Sequence, residues 1–95
     1  MNLQTKEILA EMGDDTLETA HNLEVLLGYQ IDAAYGTLNF GPRPEMHFYC
    51  SIIGPGFVIC TSRHDDFKLA LDRALEHEGV TPTMLRMKAE LKGYS

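Results

Sequence analysis

Between His47 and Arg63 the chain reads HFYCSIIGPGFVICTSR, two β-branched and aromatic runs broken by Gly54-Pro55-Gly56. Such runs favour pleated strands, and a Gly/Pro break between them marks a hairpin. A hairpin over 46–63 is therefore the structural nucleus. The two cysteines, Cys50 and Cys60, stand five residues to either side of Pro55. A three-residue loop, Gly54–Gly56, places them opposite each other on one face. In that register Phe48, Cys50, Ile52, Val58 and Cys60 share a small apolar face against which helices pack. The reverse face then carries His47, Tyr49, Ser51, Ile53, Phe57, Ile59, Thr61 and Arg63.

The apolar neighbours of the cysteines make both thiols core residues in this reading, since a buried free cysteine behaves as a small hydrophobe. A cross-strand disulfide is the rival, and a metal or redox role the third reading. A zinc site needs about four convergent ligands. His64 shares the strand parity of Cys60 but lies about 13 Å along the strand from it, and His47 points to the opposite face. No CxxC, HxxxH or HExxH spacing is present. The expectation is no metal and no cofactor. Gly-Pro-Gly is not a phosphate loop, because its proline stands where backbone donors are required.

Helical periodicity flanks the hairpin. Leu3–Met12 carries Thr5, Ile8, Leu9 and Met12 on one side and is ended by Gly13; Asp15 and Glu18 then have the spacing of a capping box. From there Ala20, Leu23, Leu27, Ile31, Ala34 and Leu38 recur at three and four residues, straight through Gly28. This predicts a helix to about Tyr35, terminated by Gly36, with Thr37–Phe40 as a short edge strand. The rival reading makes 29–35 a strand with Tyr29, Ile31, Ala33 and Tyr35 on one face. Gly41-Pro42-Arg43-Pro44-Glu45 reads as an extended loop. After the hairpin, Asp65 or Asp66 caps a helix whose Phe67, Ala70, Leu71, Ala74 and Leu75 form one stripe, stopped by Gly79. Thr81-Pro82 starts a last helix to Lys92 with Met84, Leu85, Met87 and Leu91 as apolar positions. The expected architecture is a single α+β domain over 1–95, in the order α-α-(β)-β-β-α-α, with a small antiparallel sheet packed against amphipathic helices.

Charge narrows the function. The net charge of −6 is concentrated at the start, where Lys6 faces Glu7, Glu11, Asp14, Asp15, Glu18 and Glu24, whereas residues 80–95 are mildly basic through Arg86, Lys88 and Lys92. A net-acidic domain repels phosphate backbones, which disfavours direct nucleic-acid binding. No apolar run approaches the roughly 18 residues of a membrane helix, and the amphipathic MNLQTKEILAEMG is unlike a signal peptide. The expected compartment is the cytoplasm, with reduced thiols.

Helix, antiparallel strands, helix resembles the double-stranded-RNA-binding architecture. That family's second helix opens with lysines that grip phosphates, and the matching position here reads Arg63-His64-Asp65-Asp66, which opposes RNA binding. The hairpin and following helix, 46–79, also look like the sheet of small antitoxins and of short phage accessory proteins. The leading expectation is a non-enzymatic interaction module. Its contacts would be His47, Tyr49, Thr61, Arg63 and His64 on the polar sheet side and Asp14, Asp15 and Glu18 at the acidic end. Its partner would be a protein with a basic surface, as for a phage or mobile-element inhibitor of host nucleic-acid machinery. Ile53, Phe57 and Ile59 on that sheet side call for a cover: the N-terminal helices, a second copy or the partner. The alternatives are a homodimer joined through its sheets or Met-rich last helices, and a ligand binder or enzyme using His47, Tyr49 and His64.

Overall fold

A computed structural model describes residues 1–38, 41–42 and 45–93. Helices α1 (Leu3–Met12) and α2 (Asp14–Leu27) precede strands β1 (Gln30–Leu38), β2 (Glu45–Gly54) and β3 (Phe57–Thr61). Helices α3 (His64–Glu78) and α4 (Pro82–Lys92) follow. The strands form one antiparallel meander, β1-β2-β3. The chain is thus an α+β fold in the expected element order. Asn39-Phe40 of the expected edge strand and Arg43-Pro44 of the expected loop lie outside the described residues.

The first departure is at Gly28. It takes φ +74°, and its N–H bonds the carbonyl of Glu24, so α2 stops there and does not continue to Tyr35. A left-handed residue after the last helical turn is the usual glycine stop. Residues 30–38 are strand, and Ile31 and Ala33 are buried on one face of it. Tyr29, turned inward by the stop, is 1% exposed, and its hydroxyl donates to Glu78 Oε1 at 2.7 Å. Burial and then Glu78 push its pKa up to about 12. The folded value exceeds the ordinary value of about 10, so the unfolded chain ionises first. This contribution to stability is whole below about pH 10 and is lost as pH rises to about 12. Thermal melts should therefore fall across that window more steeply for the parent than for Tyr29→Phe.

The second departure is the hairpin register. Gly54 pairs with Phe57 across a two-residue loop, Pro55-Gly56, with Gly56 at φ +71°. Pro followed by a positive-φ glycine is the type II turn signature. Gly54 is strand, not loop, and Tyr29 occupies the space beside it: a Cβ there would lie 2.5 Å from the ring, so the position admits only glycine. A shift of one residue reverses every side chain of a strand. Phe57, Ile59 and Thr61 consequently face the helices, whereas Val58 and Cys60 face away. Phe57 completes an aromatic edge with Tyr29, ring centres 6.3 Å apart, and with His77 at 5.5 Å.

The helices cover the inner face. α1 lies on β1, α3 lies on β2 and β3, and α2 bridges α1 to α4. Leu9, Leu23, Ile31, Ile52 and Phe67 form the centre of the core. The stripe of α3 is buried as its periodicity requires, but α4 buries only Leu85 and Ala89 and leaves Met84, Met87 and Leu91 in solvent. Thr81 caps α4 by accepting from the Met84 N–H at 3.1 Å. Two expected caps are absent. Asp65 and Asp66 sit in the first turn of α3 after the N-cap Arg63, where they favour the helix dipole without a cap bond. Gly13 is the N-cap of α2, and Glu18 pairs instead with Arg86 Nε at 2.7 Å.

Thr61, turned inward by the register, has a buried Oγ1 without a hydrogen-bond partner among the described residues. An unsatisfied buried hydroxyl costs about 1–3 kcal/mol, and an isosteric apolar group removes that cost. Thr61→Val should stabilise the fold by about 1 kcal/mol, read as a rise in melting temperature of about 4–8 °C.

Candidate functional site: the uncovered sheet face

The face opposite the helices is presented by alternate residues of each strand: Asp32, Ala34 and Gly36 on β1, His47, Tyr49, Ser51 and Ile53 on β2, and Val58 and Cys60 on β3. No described element packs on it. Tyr49, Ile53 and Val58 are 41%, 38% and 66% exposed. Tyr49 pairs with Ala34 and lays its ring diagonally over Gly36, where a Cβ would meet it at 3.0 Å. An aromatic laid over a cross-strand glycine is a stable pairing. The His47 ring lies 6.2 Å from the Tyr49 ring. Toward the β1 edge the surface dips into an open hollow of about 450 Å³, lined by Asn2, Gln4, Asp32, Ala34, Tyr49 and Cys60 among others. Asp32 is the carboxylate among the described side chains of this face, so the surface is nearly neutral on a strongly acidic chain.

The expected contact residues are divided by the fold. His47 and Tyr49 are neighbours on the open face. Thr61 faces inward, Arg63 is the exposed N-cap of α3, and His64 opens α3 on the helical side. There the His64 ring stands edge-on to Phe48, centres 4.4 Å apart and planes at 88°, with Nε2 3.2 Å from the Tyr35 hydroxyl. Tyr35 also approaches Glu11 Oε2 at 3.4 Å; desolvation and then Glu11 raise its pKa. His64 is thus not brought together with His47 and Tyr49, and the three make no common site. Asp14 and Asp15 are exposed in the first turn of α2, near Glu7 and Glu11 on α1 in sequence, whereas Glu18 is engaged with Arg86. Val58 and Cys60 belong to the open face in place of Thr61 and Arg63. The sequence signal that places them there is the Pro55-Gly56 pair, which closes a two-residue turn and not the three-residue loop expected from Gly54–Gly56.

The cysteines also part. Both are free; Cys50 is buried on the inner face and Cys60 is exposed on the outer one. Burial, then the charges of Asp32 and Cys60, push the Cys50 thiol up to about 12. The expectation of two core thiols is therefore corrected at Cys60, and the reason is the one-residue shift. A thiol reagent should modify one group rapidly in the native protein and a second only after denaturation. Two fast groups, or none, would contradict this register.

Among the described residues, no group of three or more His, Cys, Asp or Glu is placed to hold a metal ion. No described helix is long and apolar enough to cross a membrane. Comparisons with protein-family models, curated proteins and solved structures found no match.

Proposed function

We propose that the protein is a non-enzymatic interaction module that receives a partner protein on the uncovered sheet face. The observation that supports this is the cluster of Tyr49, Ile53 and Val58, large side chains held in solvent by a rigid sheet whose other face forms the core. Aromatic anchors ringed by small and polar groups are the usual energetic centres of interfaces. The exposed acids of α1 and α2 act at longer range and favour a partner with a basic surface, by steering its approach.

The test is capture of a partner by the intact protein, followed by its affinity for surface variants. Tyr49→Ala together with Val58→Ser should weaken the complex by at least about thirtyfold, as expected of an anchor worth about 2 kcal/mol. Neutralising Glu7, Glu11, Asp14 and Asp15 should slow association and flatten its salt dependence, with dissociation little changed. A partner that binds the face variant as tightly as the parent would sink the proposal.

A further inference from the structure

The two edges of the sheet are finished differently. Gly54 and Phe57 close a two-residue hairpin, so Phe57, Ile59 and Thr61 direct their N–H and C=O groups to β2. Cys50 pairs with Thr61 and turns its own N–H and C=O to β3, which leaves the backbone N–H and C=O of its other partner, Ala33, directed to the free edge of β1. There Thr5 Oγ1 accepts from the Ala33 N–H at 3.1 Å and donates to the Ala33 carbonyl at 3.2 Å. That edge is blocked at its middle by a side chain of α1. On β3 the outward groups belong to Val58 and Cys60, and among the described residues no turn, loop or side-chain hydrogen bond reaches them. Neither a lysine nor a proline within Phe57–Thr61 protects this edge, although natural sheets commonly guard exposed edges in those ways.

Beside the open edge, α3 and its N-cap Arg63 present a stripe of exposed side chains: Arg63, Asp66, Leu69, Arg73 and Glu76. Asp66, Leu69 and Arg73 join Cys60 and Ser62 around a hollow of about 330 Å³ between β3 and α3. Leu69 is 58% exposed, so its own chain does not cover it. Read along the helix, the stripe is positive, negative, apolar, positive, negative. Reversed, it is its own complement: Arg63 meets Glu76, Asp66 meets Arg73, and Leu69 lies near the centre. A second α3 running antiparallel satisfies this pattern, and a two-fold axis normal to the sheet supplies it while setting β3 antiparallel to β3. The strand itself is uncharged and the stripe sums to zero, so the contact adds no net charge of its own between two chains of net charge −6.

We propose that the β3 edge receives the β3 strand of a second copy, giving a continuous six-stranded sheet flanked by paired α3 helices. The inference goes beyond docking on the open face, which the two-fold leaves free in both copies and joins into one surface.

The intact chain should sediment as a dimer of the 10.7 kDa protomer over a range from about 1 to about 100 μM. Pairing through Val58 and Cys60 brings the two Cys60 residues opposite or diagonal, so a bismaleimide with a spacer of about 8 Å should cross-link them. Cys60→Ser should abolish the cross-link. Arg73→Glu should weaken the dimer at least tenfold by facing Asp66 with a like charge, and Asp66→Arg added to it should restore association. Circular dichroism melts keep loss of folding distinct from loss of pairing. A monomer at the top of that range, a dimer without the Cys60 cross-link, or a folded double variant that stays monomeric would each overturn the proposal. None of these outcomes depends on a partner binding the open face, so failure of either reading leaves the other standing.

Discussion

Thr5→Val should destabilise the protein by about 2–6 kcal/mol, the largest effect expected of a substitution that barely changes side-chain shape. Thr5 is fully buried, and its hydroxyl both accepts from and donates to the backbone of Ala33 on the edge strand. Valine fills the same volume but leaves an N–H and a C=O buried without partners, each costing about 1–3 kcal/mol. Thr5→Ser is the control. It retains the hydroxyl and loses one methyl group, so it should cost about 1 kcal/mol. Urea titration of the three proteins measures the difference. If valine and serine were equally tolerated, the hydroxyl would not be closing the edge of β1.

Gly54→Ala should cost about 3 kcal/mol, the upper end of what overpacking a core produces. The added methyl group would lie 2.5 Å from Cε2 and Cζ of Tyr29. That ring cannot yield cheaply: it is 1% exposed, and its hydroxyl is bonded to Glu78. Gly56→Ala strains a turn backbone at φ +71° but has nothing within 4 Å of the new atom. It should cost less, about 1 kcal/mol, the usual penalty of a left-handed non-glycine residue. Comparing the two melting temperatures separates close packing from turn geometry. An ordering with Gly56→Ala the more damaging would mean that Gly54 lies in the loop after all.

These two sites mark where the sequence was legible and where it was not. The outer helices could be read directly because their signals are local. Thr81-Pro82 starts α4, Gly79 ends α3, and the stripe from Phe67 to Leu75 repeats at helical spacing. The segment 29–38 misled because Leu27, Ile31, Ala34 and Leu38 imitate a helical stripe while Ala33-Ala34 adds helical propensity. What overrides them is tertiary: a left-handed Gly28, a Tyr29 buried against α3, and pairing with β2 along nine residues. Propensity is a weak prior beside such burial.

The register failed for a similar reason. Gly54 and Gly56 are both plausible turn residues, and the packing of Tyr29 on Gly54, twenty-five residues downstream of it, is a tertiary contact that no local signal carries. That single choice redistributed the candidate site. It kept His47 and Tyr49 together, turned Thr61 inward, and brought Val58 and Cys60 to the surface in its place. The acidic end was legible from composition because charge needs no register to be read.

The thin attachment of α4 also sets how the molecule breathes. Its inward surface amounts to Leu85 and Ala89, whereas α3 inserts five residues into the core and the strands are tied by their ladders. Cooperative units open in order of the free energy that holds them. Detachment of α4 from α2, with loss of the Arg86–Glu18 pair, is therefore the expected first excursion, and hydrogen exchange should show amides of 82–92 exchanging before those of β2.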